Sequence, residues 1–520
     1  MKRREFLKLT SAGLVLSSYD IISGQMNKKP NILFIMSDDH ATNAISAYKS
    51  RLAGIAPTPN IDRLANEGML FQNVFCTNSI CTPSRATILT GQYSHINGVH
   101  SLKGNLPSEK QYLAHEMKNA GYVTAMIGKW HLKQEPAAFD YYKVLPGQGK
   151  YYNPKFRVRG KKKWKQNVVR STGHSSDVIT DASLKWLQER DRSKPFFLMH
   201  HFKAPHGKWE YAERYESYLE DVVIPEPENL YDSGNHGSVA TRGGHDDKIH
   251  EIGSSLGRRH NQRIQHLTVD IPDTASDDEY KHLAYQNYLK RYLRCCKGVD
   301  DNIGRLLDYL KKDGNLDNTV IIYTSDQGMF LGEHDYIDKR WMYEESLRMP
   351  FLVKYPGIVM KKSQNHDMIS NVDFAATILE IAGTEKTPDY MQGKSFLRSM
   401  KGRTPSDWSD AIYYRYWMHM ASHYNPAHFG IRTNRYKLIF FYGTGYGSKL
   451  DPKHENTHPG WELYDLQQDP YEMNNLYDKP DNQNLIRELK SKLQKMRMEI
   501  EEDDSKYPEI QKIIEEHWDD

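Results

Sequence analysis

The stretch Asn31–His40 reads NILFIMSDDH: five consecutive apolar residues, a serine, and two acids. An unbroken apolar run of that length fits a strand buried on both faces, not an alternating surface strand. Its carboxyl end then carries Asp38 and Asp39. In open α/β sheets ligands gather at the carboxyl ends of the strands, so these two acids are the first candidate site residues. The pattern recurs in YVTAMIGKWH (122–131), PFFLMHHF (195–202), TVIIYTSDQG (319–328) and PFLVKYPG (350–357). Helical patterns lie between these runs. TPNIDRLANEG (58–68) reads as a helix closed near Gly68, with a strand after it. The longest helical pattern spans about 278–313, where Leu293, Cys296, Val299, Ile303, Leu306 and Leu310 recur at helical spacing. Alternating strands and helices predict an α/β fold: a large, mainly parallel sheet sandwiched by helices.

The texture changes after Thr404. AIYYRYW (411–417), HFGIRTNRYKLIFFY (428–442) and WELYDLQQDP (461–470) read as antiparallel strands, followed by an amphipathic helix in 482–502. The expected division is an export signal at 1–25, a catalytic domain at 28–403 and a smaller C-terminal α+β domain at 404–520. Two segments stand apart. Lys155–Arg170, KFRVRGKKKWKQNVVR, is a basic hairpin, read either as a lip that attracts an anionic polymer or as a solvated surface turn. Residues 232–276 read as a long surface loop bordering a substrate site.

Lysine and arginine total 70 against 67 acids, a formal charge of +3. That balance lacks the basic excess of a nucleic-acid binder. No apolar run is long enough for a bilayer, so no stable membrane anchor is expected. The N-terminus, MKRREFLKLTSAGLVLSSYDIISGQ, has a basic start and a weakly apolar, small-residue segment. That is the layout of an export signal, and Arg3-Arg4 resembles its twin-arginine form; the other reading is the basic start of an amphipathic helix. Export predicts a periplasmic protein and an export machinery as partner.

Four cysteines make no disulfide framework. Cys76, Cys295 and Cys296 read as small buried apolar residues. Cys81 opens CTPSRATILTG, where Thr82 suits an N-cap, Pro83 a first helical position and Gly91 the end of a short helix. A thiol at that helix mouth, with Arg85 one turn on, is expected to have a lowered pKa: an activated nucleophile or an anion site. The other reading is a small residue packed inward. Asp38, Asp39, Asp326 and Gln327 form an all-oxygen set suited to Ca²⁺ or Mg²⁺ and not to zinc. Lys129, His131, His206 and Lys339 also fall at strand ends or just beyond them. With a metal they would make a pocket for a tetrahedral oxyanion.

CTPSRATILTGQYSHINGV (81–99) resembles the signature of the type I, formylglycine-dependent sulfatases: Cys-x-Pro-x-Arg followed by a Thr-Gly element. The similarity continues through ILFIMSDDH, GYVTAMIGKWHL, TSDQGMFLGEHDYIDKRWMYEESLRMPFLVKYPG and the C-terminal GIRTNRYKLI and WELYDLQQDPYEMNNLY. It implies an alkaline-phosphatase-like fold and hydrolysis of sulfate esters. It also implies that a maturation enzyme converts Cys81 to formylglycine, whose hydrate attacks sulfur. His206 would protonate the departing alcohol, and His131 would take a proton from the remaining hydroxyl as sulfate leaves. Arg85 and Lys129 would hold the gem-diol and the oxyanion, and Lys339 the sulfate oxygens. Asp38, Asp39, Asp326 and Gln327, with residue 81, would hold Ca²⁺ or Mg²⁺. Gln327 stands where many members have Asn, and it keeps the amide oxygen.

For the rest of the substrate, His423, Asn425, His428 and Arg432 are candidates to meet sugar hydroxyls or carboxylates, or else support the fold. YLRCCKGVDDNIGRLLDYL (292–310) and the 325–350 segment are similar to glycan sulfatases, including the N-acetylglucosamine-6-sulfatase branch. That implies a bacterial enzyme desulfating a glycosaminoglycan or an algal glycan. Two other readings stand beside it: a phosphonate or phosphate ester hydrolase, and a non-catalytic protein that binds sulfated glycans.

Overall fold

A computed structural model describes residues 29–231, 236–242, 252–257, 264–446 and 456–520. The segment read as an export signal lies outside these residues, as do parts of 232–276. Ten strands form the main sheet: β1 (Asn31–Asp38), β2 (Met69–Phe71), β3 (Val123–Lys129), β4 (Tyr141–Leu145), β5 (Lys155–Val158), β6 (Val168–Arg170), β7 (Phe196–Pro205), β8 (Thr319–Ser325), β9 (Phe351–Lys354) and β10 (Ser363–Asn365). Their spatial order is β10-β2-β9-β8-β1-β7-β3-β4-β5-β6. The central five, β8-β1-β7-β3-β4, are parallel. β9 runs antiparallel to β8 and β2, and β5 and β6 close the far edge as an antiparallel hairpin.

The apolar run in β1 is continuous because both of its faces are covered. Leu33 and Ile35 pack with α1 (Pro59–Asn66), α4 (Ser175–Glu189) and α5 (Asp277–Lys312). Ile32, Phe34 and Met36 point the other way, into a cluster with α2 (Cys81–Thr90), α3 (Tyr112–Asn119) and α6 (Phe374–Ile381). In α5 the Ser276 hydroxyl accepts from the Glu279 N–H. Three acids fill its first turn and two lysines its last, each matched to the helix dipole.

Asp300, midway along α5, does for α1 what Thr58 does not. Thr58 provides no side-chain cap, whereas Asp300 Oδ1 accepts from the N–H groups of Asn60 (3.0 Å) and Ile61 (2.9 Å), and Oδ2 from the Asn60 amide (3.0 Å). Asp300→Ala is expected to lower unfolding stability by about 1–3 kcal/mol in denaturant titrations, through two orphaned helix-start donors. Burial raises the Asp300 carboxyl to about 6, against the backbone N–H groups that lower it. The native state therefore holds this proton more tightly than the unfolded chain, so its contribution falls as pH rises from about 4 to about 6. Asp300→Asn should remove that slope from a pH series of unfolding curves.

A second sheet follows: β11 (Ala411–Tyr416), β12 (His428–Thr433), β13 (Tyr436–Phe441) and β14 (Gly460–Asp465), antiparallel in that order. One face, with Tyr413, Phe429, Ile431, Leu438, Phe440 and Leu463, packs with α7 (Gln483–Glu499) and α8 (Pro508–His517). The other face, with Ile412, Tyr414, Tyr416, Ile439 and Phe441, joins the main apolar cluster. The small sheet thus shares its core with the large one.

Two expectations change. Within the described parts of 232–276 a buried portion replaces surface loop: Ile252, Leu256, Ile264 and Leu267 are buried, and the Gly253 N–H donates to the Tyr424 carbonyl, while residues 272–274 stay exposed. The hairpin is not a lip. Lys129 pairs with Leu145 at the acid-bearing end of the sheet, whereas Lys143 pairs with Val158, so the chain turns after Val158 toward the opposite end.

Candidate active site

The carboxyl ends of β1, β3, β7 and β8 bring Asp38 and Asp39, Lys129, His206, and Asp326 and Gln327 to one place. Asp39 adopts φ 66°, which turns it back beside Asp38. That turn is held by its own N–H donating to Asp326 Oδ1 (3.1 Å) and by the Tyr292 hydroxyl donating to its carbonyl (2.7 Å).

Cys81 is the first residue of α2, one position before the expected cap. No side chain caps this helix, and Gly91 closes it at φ 63°. Thr82 instead donates to the His131 carbonyl (3.1 Å). Cys81 Sγ lies 3.4 Å from Asp38 Oδ1, 3.8 Å from Lys129 Nζ and 3.8 Å from Gln327 Nε2. Lys129 also donates to Asp38. Arg85 donates through Nε to Asp326 Oδ2 (2.9 Å) and through Nη1 to the Lys129 carbonyl (2.7 Å). Lys339 Nζ sits 2.6 Å from Asp39 Oδ2, and His206 Nε2 is 3.8 Å from the same oxygen.

Burial dominates the electrostatics. It disfavours the Asp38 anion, but Lys129, His206, Arg85 and Lys339 together outweigh it and hold that carboxyl well below its ordinary range. Burial and the Asp38 charge push Asp326 up to about 7, and burial raises Asp39 despite Lys339. Burial and Lys129 hold His206 well below its ordinary value and His131 down to about 2. The Cys81 thiol is raised, not lowered: burial first and Asp38 second outweigh Lys129 and Lys339. The helix mouth attracts anions, yet this one opens onto a buried carboxylate.

Asp38, Asp39 and Asp326 each offer an oxygen within 4.8 Å of the others. Gln327 donates its amide N–H to Asp39, and its buried Oε1 has no hydrogen-bond partner. Three converging carboxylates and an orphaned amide oxygen fit a hard divalent cation.

A cavity of about 540 Å³ opens above this cluster, lined by Asp39, Cys81, His206 and Lys339. Its walls add Gln148, Lys208, Trp209, His266, Asp338, Arg340 and His423. Among the lining residues, Asp39, Trp209, Asp338, Arg340 and Ser422 all have positive φ, from 56° to 90°. Left-handed non-glycine residues concentrate where function sets the backbone. Sequence reasoning missed Trp209, Asp338 and Arg340. The last two flank Lys339 in the DKR triplet, and that adjacency was the available signal.

Of the four residues considered for the sugar, His423 lines the cavity, with Nε2 3.5 Å from Asp338 Oδ1 and Nδ1 2.7 Å from Ser254 Oγ. Asn425 lies beneath it, donating to the His423 carbonyl (3.1 Å) and accepting from the Trp341 indole (2.8 Å). His428 and Arg432 are not at the cavity. They share one face of β12, turned into the protein body. His428 is packed among Trp341, Tyr414 and Phe441, and Arg432 pairs with Glu344 (3.1 Å) and lies over Phe75. Both support the fold.

Residues 30–384 match the family model described as Sulfatase, and 332–499 match the C-terminal model of N-sulphoglucosamine sulphohydrolase. An N-acetylglucosamine-6-O-sulfatase of Bacteroides thetaiotaomicron is 38% identical over 533 aligned residues, covering 96% of this chain and 91% of that protein. Human N-acetylglucosamine-6-sulfatase is 29% identical over 79% of this chain and 71% of its own length. The solved structure of BT4656 in complex with its substrate D-glucosamine-2-N,6-O-disulfate superposes with a TM-score of 0.81 at 37% identity, covering 92% of this chain and 99% of that one. The acid cluster, the helix-start cysteine and the cation-lined cavity therefore sit on a fold and a sequence that place this chain in the sulfatase family, as a sulfuric ester hydrolase.

Proposed function

We propose that this enzyme removes the 6-O-sulfate from glucosamine-type sugars of glycosaminoglycan fragments, with residue 81 as formylglycine and Ca²⁺ held by Asp38, Asp39, Asp326 and Gln327. The observation that carries the reading is the position of Cys81. It opens a helix at the floor of the cavity, against Asp38 and within 3.8 Å of Lys129 and Gln327. A buried thiol with a raised pKa is a poor nucleophile there. A hydrated aldehyde would supply an oxygen nucleophile, and a cation would lower that oxygen's pKa and polarise a sulfate oxygen.

The chain's own groups complete the site. Lys129 and Arg85 carry positive charge beside residue 81, and Lys339 faces the cavity where sulfate oxygens would lie. His206, which lines the cavity beside Asp39, is placed to move a proton at the leaving oxygen, and His131, behind Thr82, at residue 81. Beyond the sulfate, the Asp338 carboxylate, Arg340 and His423 offer acceptors and donors to ring hydroxyls, and Trp209 offers an aromatic face. The sugar assignment draws on the two N-acetylglucosamine-6-sulfatases and on the substrate held by BT4656. The paired arginines near the N-terminus support export to the periplasm, and the Cys-x-Pro-x-Arg segment supports a maturation enzyme as partner.

The test is sulfate release from a panel of monosaccharides by protein co-produced with a maturation enzyme. Glucosamine and N-acetylglucosamine 6-sulfates should turn over about a hundredfold faster than their 3-sulfates and than galactose 6-sulfate, because buried polar wall groups would be left unpaired by the wrong isomer. Equal rates across the panel, or faster turnover of an aryl phosphate than of its paired aryl sulfate, would sink this reading.

A further inference from the structure

The edge hairpin Lys155–Arg170 has no place in the reaction, yet its composition is unlike that of the rest of the chain. Eight of its sixteen residues are basic: Lys155, Arg157, Arg159, Lys161, Lys162, Lys163, Lys165 and Arg170. It contains no acid. The whole chain stands at +3, so with the hairpin at +8 the remainder carries −5. The chain's net positive excess is collected here.

The cations are exposed or half-exposed, and among the described residues none forms an ion pair with a carboxylate. Lys155 stands directly across from Arg170 in the β5–β6 ladder. Like charges facing each other across two strands destabilise the pair unless something neutralises them. Lys155 and Arg157 fall on alternate positions and so share one face of β5, about 7 Å apart, and Arg159 follows just past the strand's end. Arg157 lies over the half-buried Trp164 ring (4.5 Å), and Arg159 is anchored by the Phe139 carbonyl (2.7 Å) and lies over Tyr142 (5.2 Å). These two guanidiniums are held in place and not left to sweep through solvent.

Lysines on an edge strand also discourage edge-to-edge pairing. That role accounts for Arg170, the one charge on β6. It does not account for four lysines in the turn, which offers no edge, nor for the lack of any acid. β6 is five strands from β1, about 24 Å across the sheet, and the turn points to the end opposite the cavity. A ligand here would not touch the catalytic groups.

We propose that this hairpin is a second, non-catalytic binding surface for a sulfated polysaccharide chain, which it holds by its cations while sulfate esters are hydrolysed elsewhere on the molecule. The choice of a sulfated glycan among polyanions rests on the proposed reaction; the existence of a polyanion surface does not. Two anchored guanidiniums among exposed lysines suit a linear polymer with repeating sulfates, and arginine matches a sulfate's two oxygens. An anionic membrane is less suited, because Trp164, the one aromatic ring of the turn, is engaged by Arg157 and the turn residues beside it are lysines.

The test measures binding apart from catalysis, on the full chain with Cys81 unconverted, using a size-defined heparin decasaccharide. The wild-type protein should bind it with an affinity that falls steeply with salt. A variant with Lys161, Lys162, Lys163 and Lys165 all changed to Gln should bind about tenfold more weakly and with a shallower salt dependence. The milder pair Lys161→Gln and Lys163→Gln should show an intermediate loss, and it guards against misfolding of the fourfold variant. In matured protein the same variants should keep kcat/KM on glucosamine 6-sulfate. Unchanged heparin affinity in both variants would overturn the proposal. So would loss of heparin binding when glucosamine 6-sulfate fills the cavity, or capture of phosphatidylglycerol vesicles that needs the lysines while heparin binding does not. A chain that binds heparin through the hairpin yet releases no sulfate after maturation would contradict the proposed reaction and leave this surface standing.

Discussion

Cys81→Ala is expected to abolish sulfate release, by about ten-thousandfold or more, in protein co-produced with a maturation enzyme. The residue is buried at the start of α2, and its sulfur lies 3.4 Å from Asp38, 3.8 Å from Lys129 and 3.8 Å from Gln327, which puts a nucleophile at this position against all three groups. Alanine removes the side-chain heteroatom without adding bulk. The fold should therefore survive, and the unfolding midpoint should move by only a few degrees. Near-normal turnover in this variant would remove residue 81 from the chemistry.

Asp326→Asn is expected to be nearly as damaging, for two reasons that can be separated. Its carboxylate is one of the three that converge, and it also receives Arg85 through Nε at 2.9 Å and the Asp39 N–H at 3.1 Å. Asparagine is almost isosteric but drops one negative charge, so Ca²⁺ affinity should fall about tenfold to a hundredfold and kcat about a hundredfold or more. Raising Ca²⁺ should restore occupancy measured by calorimetry, while kcat stays depressed because Arg85 has lost its nearer anionic partner and keeps only Asp38, at 3.7 Å. Unchanged Ca²⁺ affinity would mean that the cation, if bound at all, is held elsewhere.

Much of this site was legible because it lies at strand ends. Asp38, Asp39, Lys129, Asp326 and Gln327 each end or follow an apolar run, and a parallel sheet brings such positions together whatever the intervening sequence. The pKa of Cys81 was not legible. Helix-mouth reasoning considers the dipole and Arg85, but the burial of the thiol and the approach of Asp38 come from β1, distant in sequence. Trp209, Asp338 and Arg340 were missed for a related reason: their backbones take left-handed conformations that no propensity signals. His428 and Arg432 misled because strand alternation shows which residues share a face without showing which face meets the cavity. The buried character of 252–257, and of Ile264 and Leu267, was hidden by a polar composition, since the few apolar residues there are the ones that pack inward.

The central claim is that residue 81 works only after conversion from cysteine. It is tested most directly by preparing the protein with graded amounts of maturation enzyme, then measuring the fraction of formylglycine in the peptide containing residue 81 by mass spectrometry and sulfate release from glucosamine 6-sulfate on the same samples. Activity should rise in proportion to the aldehyde fraction and extrapolate to zero where position 81 is wholly cysteine. Full activity in protein whose residue 81 is entirely thiol would contradict the account.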